Sequence, residues 1–167
     1  MRNKFLIHIF FFFFLFFDLY AQEKVLIQLE NKQEFIVDLA STAQEKRKGL
    51  MNIKKLKNTN GMLFLNKKAR VVNMWMRDTH FDLAIIFINI NNRILDIKKG
   101  VKSSEKIISS VKPVIATLEI PSFCRKKLKL KIGDVIEWKF LNYKDLEVMK
   151  NKKRKNSFPC VEQENQN

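Results

Sequence analysis

The feature that most constrains the fold is a series of short apolar runs, each four to seven residues long. Runs of this length are typical of β-strands, because an isolated helix needs more residues before it is stable. Polar, proline or asparagine residues separate most of them, as expected for strands joined by turns. The predicted strands are Val25–Leu29, Glu34–Leu39, Met62–Leu65, Val71–Met76, Ala84–Ile90, Arg93–Ile97, Val114–Ile120 and Val135–Phe140.

Turn and capping signals connect these runs. Asn91 and Asn92 form a two-residue link, which predicts a tight hairpin. Thr42 and Glu45 have the spacing of a capping box, which predicts a short helix that ends near Gly49. A second short helix is predicted over Ser122–Leu128. Many short strands with one or two short helices predict a mainly β (α+β) fold, a small compact antiparallel β-barrel-like domain.

The amino terminus has the pattern of a secretory signal peptide. Arg2 and Lys4 precede an apolar stretch from Phe5 to Phe17, and Ala21 is a small residue at the expected cleavage position. The stretch is shorter than the roughly 20 residues that a membrane-spanning helix needs. The pattern predicts export to the periplasm or cell envelope with cleavage after Ala21, and an uncleaved anchor in the membrane is the alternative.

The composition changes again near the carboxyl terminus. After the last predicted strand the chain is basic and polar, with no hydrophobic periodicity, which is typical of a disordered tail. The predicted organisation is therefore a signal peptide over residues 1–21, one domain over residues 22–142 and a disordered tail over residues 143–167.

The chain is strongly basic, with a formal net charge of +15. A basic surface can bind nucleic acid, anionic lipid or an acidic polymer. However, most of the basic residues are lysines spread along the sequence, which favours a solvated surface. Export also argues against a nucleic-acid partner. A polyanion site stays open as the alternative.

Two cysteines remain in the predicted mature chain, Cys124 and Cys160. In an oxidising compartment they could form a disulfide. Cys160 lies in the predicted disordered tail, so the sequence leaves their pairing open. Neither has the spacing of a metal site, and no metal or cofactor is predicted.

Six short motifs occur in a fixed order: R-K-G-L-M (Arg47–Met51), G-M-L-F (Gly61–Phe64), W-M-R-D-T (Trp75–Thr79), L-A-I-I-F-I (Leu83–Ile88), L-E-I-P (Leu118–Pro121) and I-G-D-V (Ile132–Val135). Together they resemble the prokaryotic family known as domain of unknown function 192, over most of the predicted mature chain. The resemblance implies a compact, mainly β, single-domain protein, often exported, with no assigned activity.

The chain departs from the family pattern at two places. The family usually has Pro-Leu-Asp where this chain has Asp82-Leu83-Ala84, so a carboxylate lies two residues earlier. In an extended segment, positions two apart share a face, so Asp82 could occupy similar space. The family's Ala-Gly after the L-E-I-P motif is replaced by Ser122-Phe123, which removes a glycine and adds a bulky ring.

The candidate ligand-binding residues lie in and near one polar stretch: Arg77, Asp78, Thr79, His80, Asp82 and, on a separate predicted strand, Glu119. In one interpretation the carboxylates act as acid, base or ligand groups and Arg77 binds an anion. In the other, Asp78 and Thr79 make turn hydrogen bonds, Trp75 is in the core and His80 is an exposed loop residue. The sequence has no recognisable catalytic pattern, so no catalytic residue is assigned.

These features predict a small binding or accessory module of the cell envelope. It would be a monomer that binds a small ligand or an envelope component. One alternative is a carboxylate-dependent hydrolase that uses Asp78, Asp82 and Glu119. Another is a copper carrier, because the thioethers of Met51, Met62, Met74 and Met76, with His80, could hold Cu(I). Methionine is also an adaptable core filler, which favours packing for these residues.

Overall fold

The computed structural model describes residues 23–151 and 159–160. The predicted signal peptide lies outside these residues. The strands are β1 (Lys24–Leu29), β2 (Glu34–Ala40), β3 (Met62–Arg70), β4 (Asn73–Met74), β5 (Leu83–Ile88), β6 (Ile94–Gly100), β7 (Ile108–Ser109), β8 (Val114–Pro121) and β9 (Ile136–Leu141), and the helices are α1 (Ala43–Lys48), α2 (Ser122–Leu128) and α3 (Tyr143–Asn151). The predicted mainly β fold is confirmed.

Seven strands form one curled sheet in the order β6-β5-β8-β3-β2-β1-β9, and β4 and β7 form a separate small ladder. The two edges of the large sheet approach each other at one end, where Arg93 and Val135 form an isolated bridge. There the Ile94 N–H donates to the Asp134 carbonyl at 2.9 Å, and the Ile136 N–H donates to the Asn92 carbonyl at 2.8 Å. These bonds make the sheet a half-closed barrel.

One pair in the large sheet differs from the predicted antiparallel arrangement, because β2 and β3 run parallel. A parallel pair needs a long crossover connection, which α1 and the following loop supply. The predicted capping box starts this helix: the Glu45 N–H donates to Thr42 Oγ1 at 3.2 Å, and the Thr42 N–H donates to Glu45 Oε2 at 2.8 Å. The helix ends at Gly49, whose φ is 47°.

Apolar side chains fill both faces of the central strands. One face holds a cluster that includes Ile27, Val37 and Leu118. The opposite face holds a second cluster that includes Ile85 and Phe87, onto which Leu50, Leu56, Val72 and Met76 fold from loops. All six residues of β5 are therefore buried, which explains its continuous apolar sequence. No helix among the described residues is long and apolar enough to cross a bilayer.

The prediction of a disordered tail is wrong for part of residues 143–167. Tyr143–Asn151 form α3, a third helix beyond the predicted one or two. Asn142 caps it reciprocally: the Asp145 N–H donates to Asn142 Oδ1 at 2.9 Å, and the Asn142 N–H donates to Asp145 Oδ2 at 3.1 Å. The spacing of these two residues is a capping signal in the sequence that outweighs the polar composition.

The tail is also held to the domain by a disulfide between Cys124 in α2 and Cys160, with a Cα–Cα distance of 5.0 Å. The Cys160 N–H donates to Asn60 Oδ1 at 2.8 Å, and Lys127 Nζ donates to the Pro159 carbonyl at 3.0 Å. The pairing that the sequence left open is therefore made, and Cys160 is buried.

Reducing this disulfide is expected to lower the free energy of unfolding by about 3 to 4 kcal/mol, because it closes a loop whose ends are 36 residues apart. Urea unfolding with and without a reductant measures the effect. The control is the double variant Cys124→Ala/Cys160→Ala, whose midpoint the reductant should leave unchanged. A wild-type midpoint that is the same in both conditions would contradict the expectation.

Candidate functional site

The end of β8 and the start of β5 come together because Pro121 pairs with Leu83 in the antiparallel ladder. The Ser122 N–H donates to the Asp82 carbonyl at 3.0 Å, which extends the contact beyond the strands. The two departures from the family pattern, Asp82 and Ser122-Phe123, are therefore neighbours in space although 40 residues separate Asp82 from Ser122.

A concave pocket of about 330 Å³ opens at this junction, and we call it the β5–β8 pocket. Its walls come from Phe81–Asp82, Pro121–Phe123, Lys54–Leu56 and Cys160. The disulfide holds Cys160 against the domain at this wall. The volume is at the low end of the range for small-molecule pockets.

The β5–β8 pocket is apolar with a few polar groups. Leu56, Phe81, Pro121 and Phe123 line it, and the Phe123 side chain is 43% exposed. The Ser122 hydroxyl is buried and has no hydrogen-bond partner among the described residues. A mainly apolar wall with a few polar groups is the usual composition of a ligand site.

Asp82 is the one predicted site residue that lines this pocket. The Lys102 N–H donates to Asp82 Oδ1 at 3.0 Å, and Lys99 Nζ lies 3.1 Å from Oδ2. The backbone hydrogen bond from Lys102, followed by the bond from Lys99, lowers the pKa of Asp82 below its usual value. Asp82 is therefore a carboxylate at neutral pH whose two oxygens are already engaged.

The other residues of the predicted loop lie in a turn outside the pocket. Arg77 Nε is 3.7 Å from Asp78 Oδ2, and both side chains are about half exposed. Asp78 has a φ of 52°, as in a turn. Thr79 is buried, and its carbonyl accepts from the Ser103 N–H at 2.9 Å. His80 is exposed. These contacts agree with the turn interpretation, and the binding role of the four residues stays a prediction.

The turn interpretation places Trp75 in the core, and this part of it is wrong. Its side chain is 44% exposed. The Arg77 guanidinium lies 5.7 Å from the ring centroid, in the range of a cation–π contact. The neighbouring Met76 is fully buried, because successive side chains of an extended segment point to opposite sides.

Glu119 lies in the middle of β8, between Met62 of β3 and Ile85 of β5. It is only 4% exposed. Burial among apolar neighbours raises its pKa to about 8, so the side chain is mostly protonated at neutral pH. Three register positions, roughly 10 Å along the strand, separate it from Asp82. No hydrogen bond or ion pair in the described part of the chain links it to Asp78 or Asp82.

No group of three histidine, cysteine or acidic side chains that could hold a metal ion occurs in residues 23–151 and 159–160. Met62 and Met76 lie in the second apolar cluster, and Met74 packs against it. This burial agrees with the packing interpretation of these methionines.

Sequence reasoning missed Ser122, Phe123 and Lys54 as pocket residues. The departure from the family pattern at Ser122-Phe123 was a signal for two of them. No local sequence pattern identifies Lys54 as a pocket residue, because its loop meets the other lining segments only when the chain is folded.

Comparison with known proteins gives a family and two similar structures. The model of the DUF192 family, described as uncharacterised, matches residues 25–138. A Sinorhizobium meliloti 1021 protein described as a candidate transcription regulator is 33% identical, with a TM-score of 0.64, covering 71% of this chain and 95% of that one. A protein of unknown function from Novosphingobium aromaticivorans DSM 12444 is 31% identical, with a TM-score of 0.61, covering 69% and 84%. A search of curated proteins found no match.

Proposed function

Because the chain belongs to the DUF192 family, whose activity is uncharacterised, we propose a function from its own site: a small exported binding module of the cell envelope that takes its ligand in the β5–β8 pocket. The observation that carries the proposal is the pocket itself, about 330 Å³, with mainly apolar walls and with Lys54, Asp82 and Ser122 among its lining residues. Such a concave apolar site with a few convergent polar groups is the usual location of ligand binding.

Two features support export. The amino terminus has the pattern of a signal peptide. The disulfide between Cys124 and Cys160 supports the same compartment, because disulfides persist in oxidising environments and are rare in reducing ones.

The carboxylate arrangement favours binding over hydrolysis. A pair of catalytic carboxylates must reach one substrate bond from an open site. Asp82 is engaged by Lys99 and Lys102, Asp78 pairs with Arg77 at the surface, and Glu119 is enclosed by apolar side chains. These residues therefore support a binding site better than they support a hydrolase active site.

Binding in the pocket is tested with neutral aromatic probes, 3-phenylpropanol and indole, by amide NMR shifts of the disulfide-bonded mature protein. We expect shifts at the lining residues of the pocket. Phe123→Ala removes an exposed wall ring and should weaken binding roughly threefold to tenfold. The matched control is Phe140→Ala, which removes a similarly exposed ring from β9 and should leave binding unchanged. If neither probe shifts the lining residues, or if both variants behave alike, the proposal is overturned.

Export is tested separately by expressing the full chain in a Gram-negative host. The mature protein is expected in the osmotic-shock fraction with Gln22 as its first residue. A product that stays in the cytoplasm with its amino terminus intact would contradict the export part of the proposal alone.

A further inference from the structure

The small ladder of β4 and β7 has one buried face and one exposed face. Met74 and Ile108 pair across the ladder and pack against the second apolar cluster. Trp75 follows Met74 and Ile107 precedes Ile108 in the chain, and their side chains are 44% and 56% exposed. Successive side chains of an extended segment point to opposite sides, so Trp75 and Ile107 share the outer face of the ladder.

Two valines extend this outer face at the other end of the ladder. There the Ser110 N–H donates to the Val72 carbonyl at 3.0 Å, which holds the two segments together. Val72 and Ser110 are buried, whereas the neighbouring Val71 and Val111 are 50% and 71% exposed. Apolar side chains grouped on one exposed face mark an interaction surface more often than single ones do. The four residues of this surface, which we call the outer ladder face, are Val71, Trp75, Ile107 and Val111.

The segments that carry the outer ladder face are strongly basic. Residues 67–79 and 101–112 contain seven lysines and arginines against two acidic residues, a net charge of +5. All seven basic residues are exposed. One of the two acidic residues, Asp78, lies 3.7 Å from Arg77. The outer ladder face is therefore an apolar surface flanked by positive charge.

This combination selects one kind of partner. A second copy of the same face would bring positive charge against positive charge, which disfavours self-association through it. Nucleic acid would match the charge but would place aliphatic side chains against phosphates. A bilayer with anionic lipids offers both phosphate groups and a hydrocarbon boundary. Tryptophan is enriched at that boundary, because its ring is apolar and its N–H is polar.

We propose that the outer ladder face docks the mature protein on the surface of a bilayer that contains anionic phospholipid. Trp75 and Ile107 enter the boundary between headgroups and hydrocarbon, and the flanking lysines contact lipid phosphates. None of the four residues of this face lines the β5–β8 pocket. The membrane contact is therefore independent of ligand binding in the pocket.

Co-sedimentation with lipid vesicles tests the inference on the disulfide-bonded mature protein. Vesicles of phosphatidylcholine alone are compared with vesicles in which half of the lipid is phosphatidylglycerol. We expect binding to the anionic vesicles about tenfold or more tightly than to the neutral ones, because several lysines contribute. Added salt should weaken this binding, since it screens exposed charges.

A matched pair of aromatic variants tests the apolar part of the contact. Trp75→Ala keeps every charge and should weaken binding to the anionic vesicles about tenfold. Phe140→Ala removes a similarly exposed ring from β9 and should leave binding unchanged. In a Trp138→Phe background Trp75 is the only tryptophan, and its fluorescence emission should shift to shorter wavelength when anionic vesicles are added.

A matched pair of lysine variants tests the charged part. Lys106→Gln/Lys112→Gln removes two charges beside the outer ladder face and should weaken binding severalfold. Lys126→Gln/Lys129→Gln removes two charges from exposed positions at α2 and its carboxyl end, and should change binding little.

The inference is overturned if the anionic vesicles are not bound, or if the two variants of either matched pair weaken binding equally. Equal effects would leave only the unspecific attraction of a basic protein. It is also overturned if the mature protein dimerises without vesicles through a contact that Trp75→Ala abolishes, because the face would then be an interface between copies. Ligand binding in the β5–β8 pocket stands or falls separately.

Discussion

Replacing Gly61 with alanine is expected to lower the free energy of unfolding by about 4 to 5 kcal/mol, at the upper end for single substitutions. A Cβ at this position would overlap the carbonyl oxygen of Glu119 and come within 3.0 Å of Ile120 Cγ2. The obstructing atom belongs to the backbone of β8, so it cannot move without disturbing the β3–β8 ladder. The φ of Gly61 is also 153°, in a region that side chains rarely adopt.

Chemical denaturation of the two proteins measures this loss. Gly133→Ala is the matched control, because Gly133 also has a positive φ, 95°, but a Cβ there meets nothing within 4 Å. It should cost only the backbone strain, about 1 to 2 kcal/mol. A Gly61→Ala variant that is unfolded before denaturant is added agrees with the expectation. Equal losses in the free energy of unfolding of the two variants would contradict the expectation, because they would show that the close approach of Gly61 to β8 adds no cost.

Glu119 should make the stability of the protein depend on pH. Its pKa is about 8 in the folded state and near 4.5 when exposed. Between these values the unfolded chain has lost a proton that the folded chain keeps, so stability falls as pH rises from about 4.5 and levels off above about 8. The full fall is about 4 to 5 kcal/mol, from the size of the shift.

The variant Glu119→Gln isolates this effect, because the amide resembles the protonated acid at every pH. Relative to the wild type it is expected to gain stability progressively from pH 4.5 to pH 8, which urea unfolding at several pH values measures. Burial also raises the pKa of Asp38, more than Lys24 lowers it, but both proteins share that contribution. Glu137→Gln, on an exposed part of β9, is the control for removing a charge. A difference between Glu119→Gln and the wild type that does not vary with pH would contradict the burial of Glu119.

Local signals in the sequence predicted much of the fold. The capping box at Thr42 and Glu45 forms as expected, and a hairpin joins β5 and β6 at Asn91-Asn92. Its loop is longer than the predicted two residues, because the Asn89 N–H donates to the Arg93 carbonyl at 3.0 Å and leaves Ile90–Asn92 between them. Each depends on residues within a few positions of one another, so the sequence contains the whole interaction. The same holds for the Asn142–Asp145 cap, which is local although it lies in a polar segment without hydrophobic periodicity.

The candidate site was only partly predictable. The polar stretch from Arg77 to Asp82 is conspicuous in the sequence, yet only Asp82 reaches the pocket. Three distant segments supply the other residues. Lys54 lies in the crossover loop after α1, Ser122 is placed by the β5–β8 ladder, and Cys160 is held by the disulfide. Which of these segments meet depends on strand order, and strand order is set by contacts between residues far apart in the sequence.

By itself, the sequence determined the mainly β class, most of the turns and the membership of the DUF192 family, because short-range hydrogen bonds and an alternating or continuous apolar pattern specify strands and caps locally. The tertiary structure alone decided that β2 and β3 run parallel, that Glu119 is buried, and that Cys124 and Cys160 pair. It also decided that Ser122, far from Asp82 in the sequence, lines the same pocket as Asp82. These properties arise from burial and from the meeting of distant segments, which only the packed chain defines.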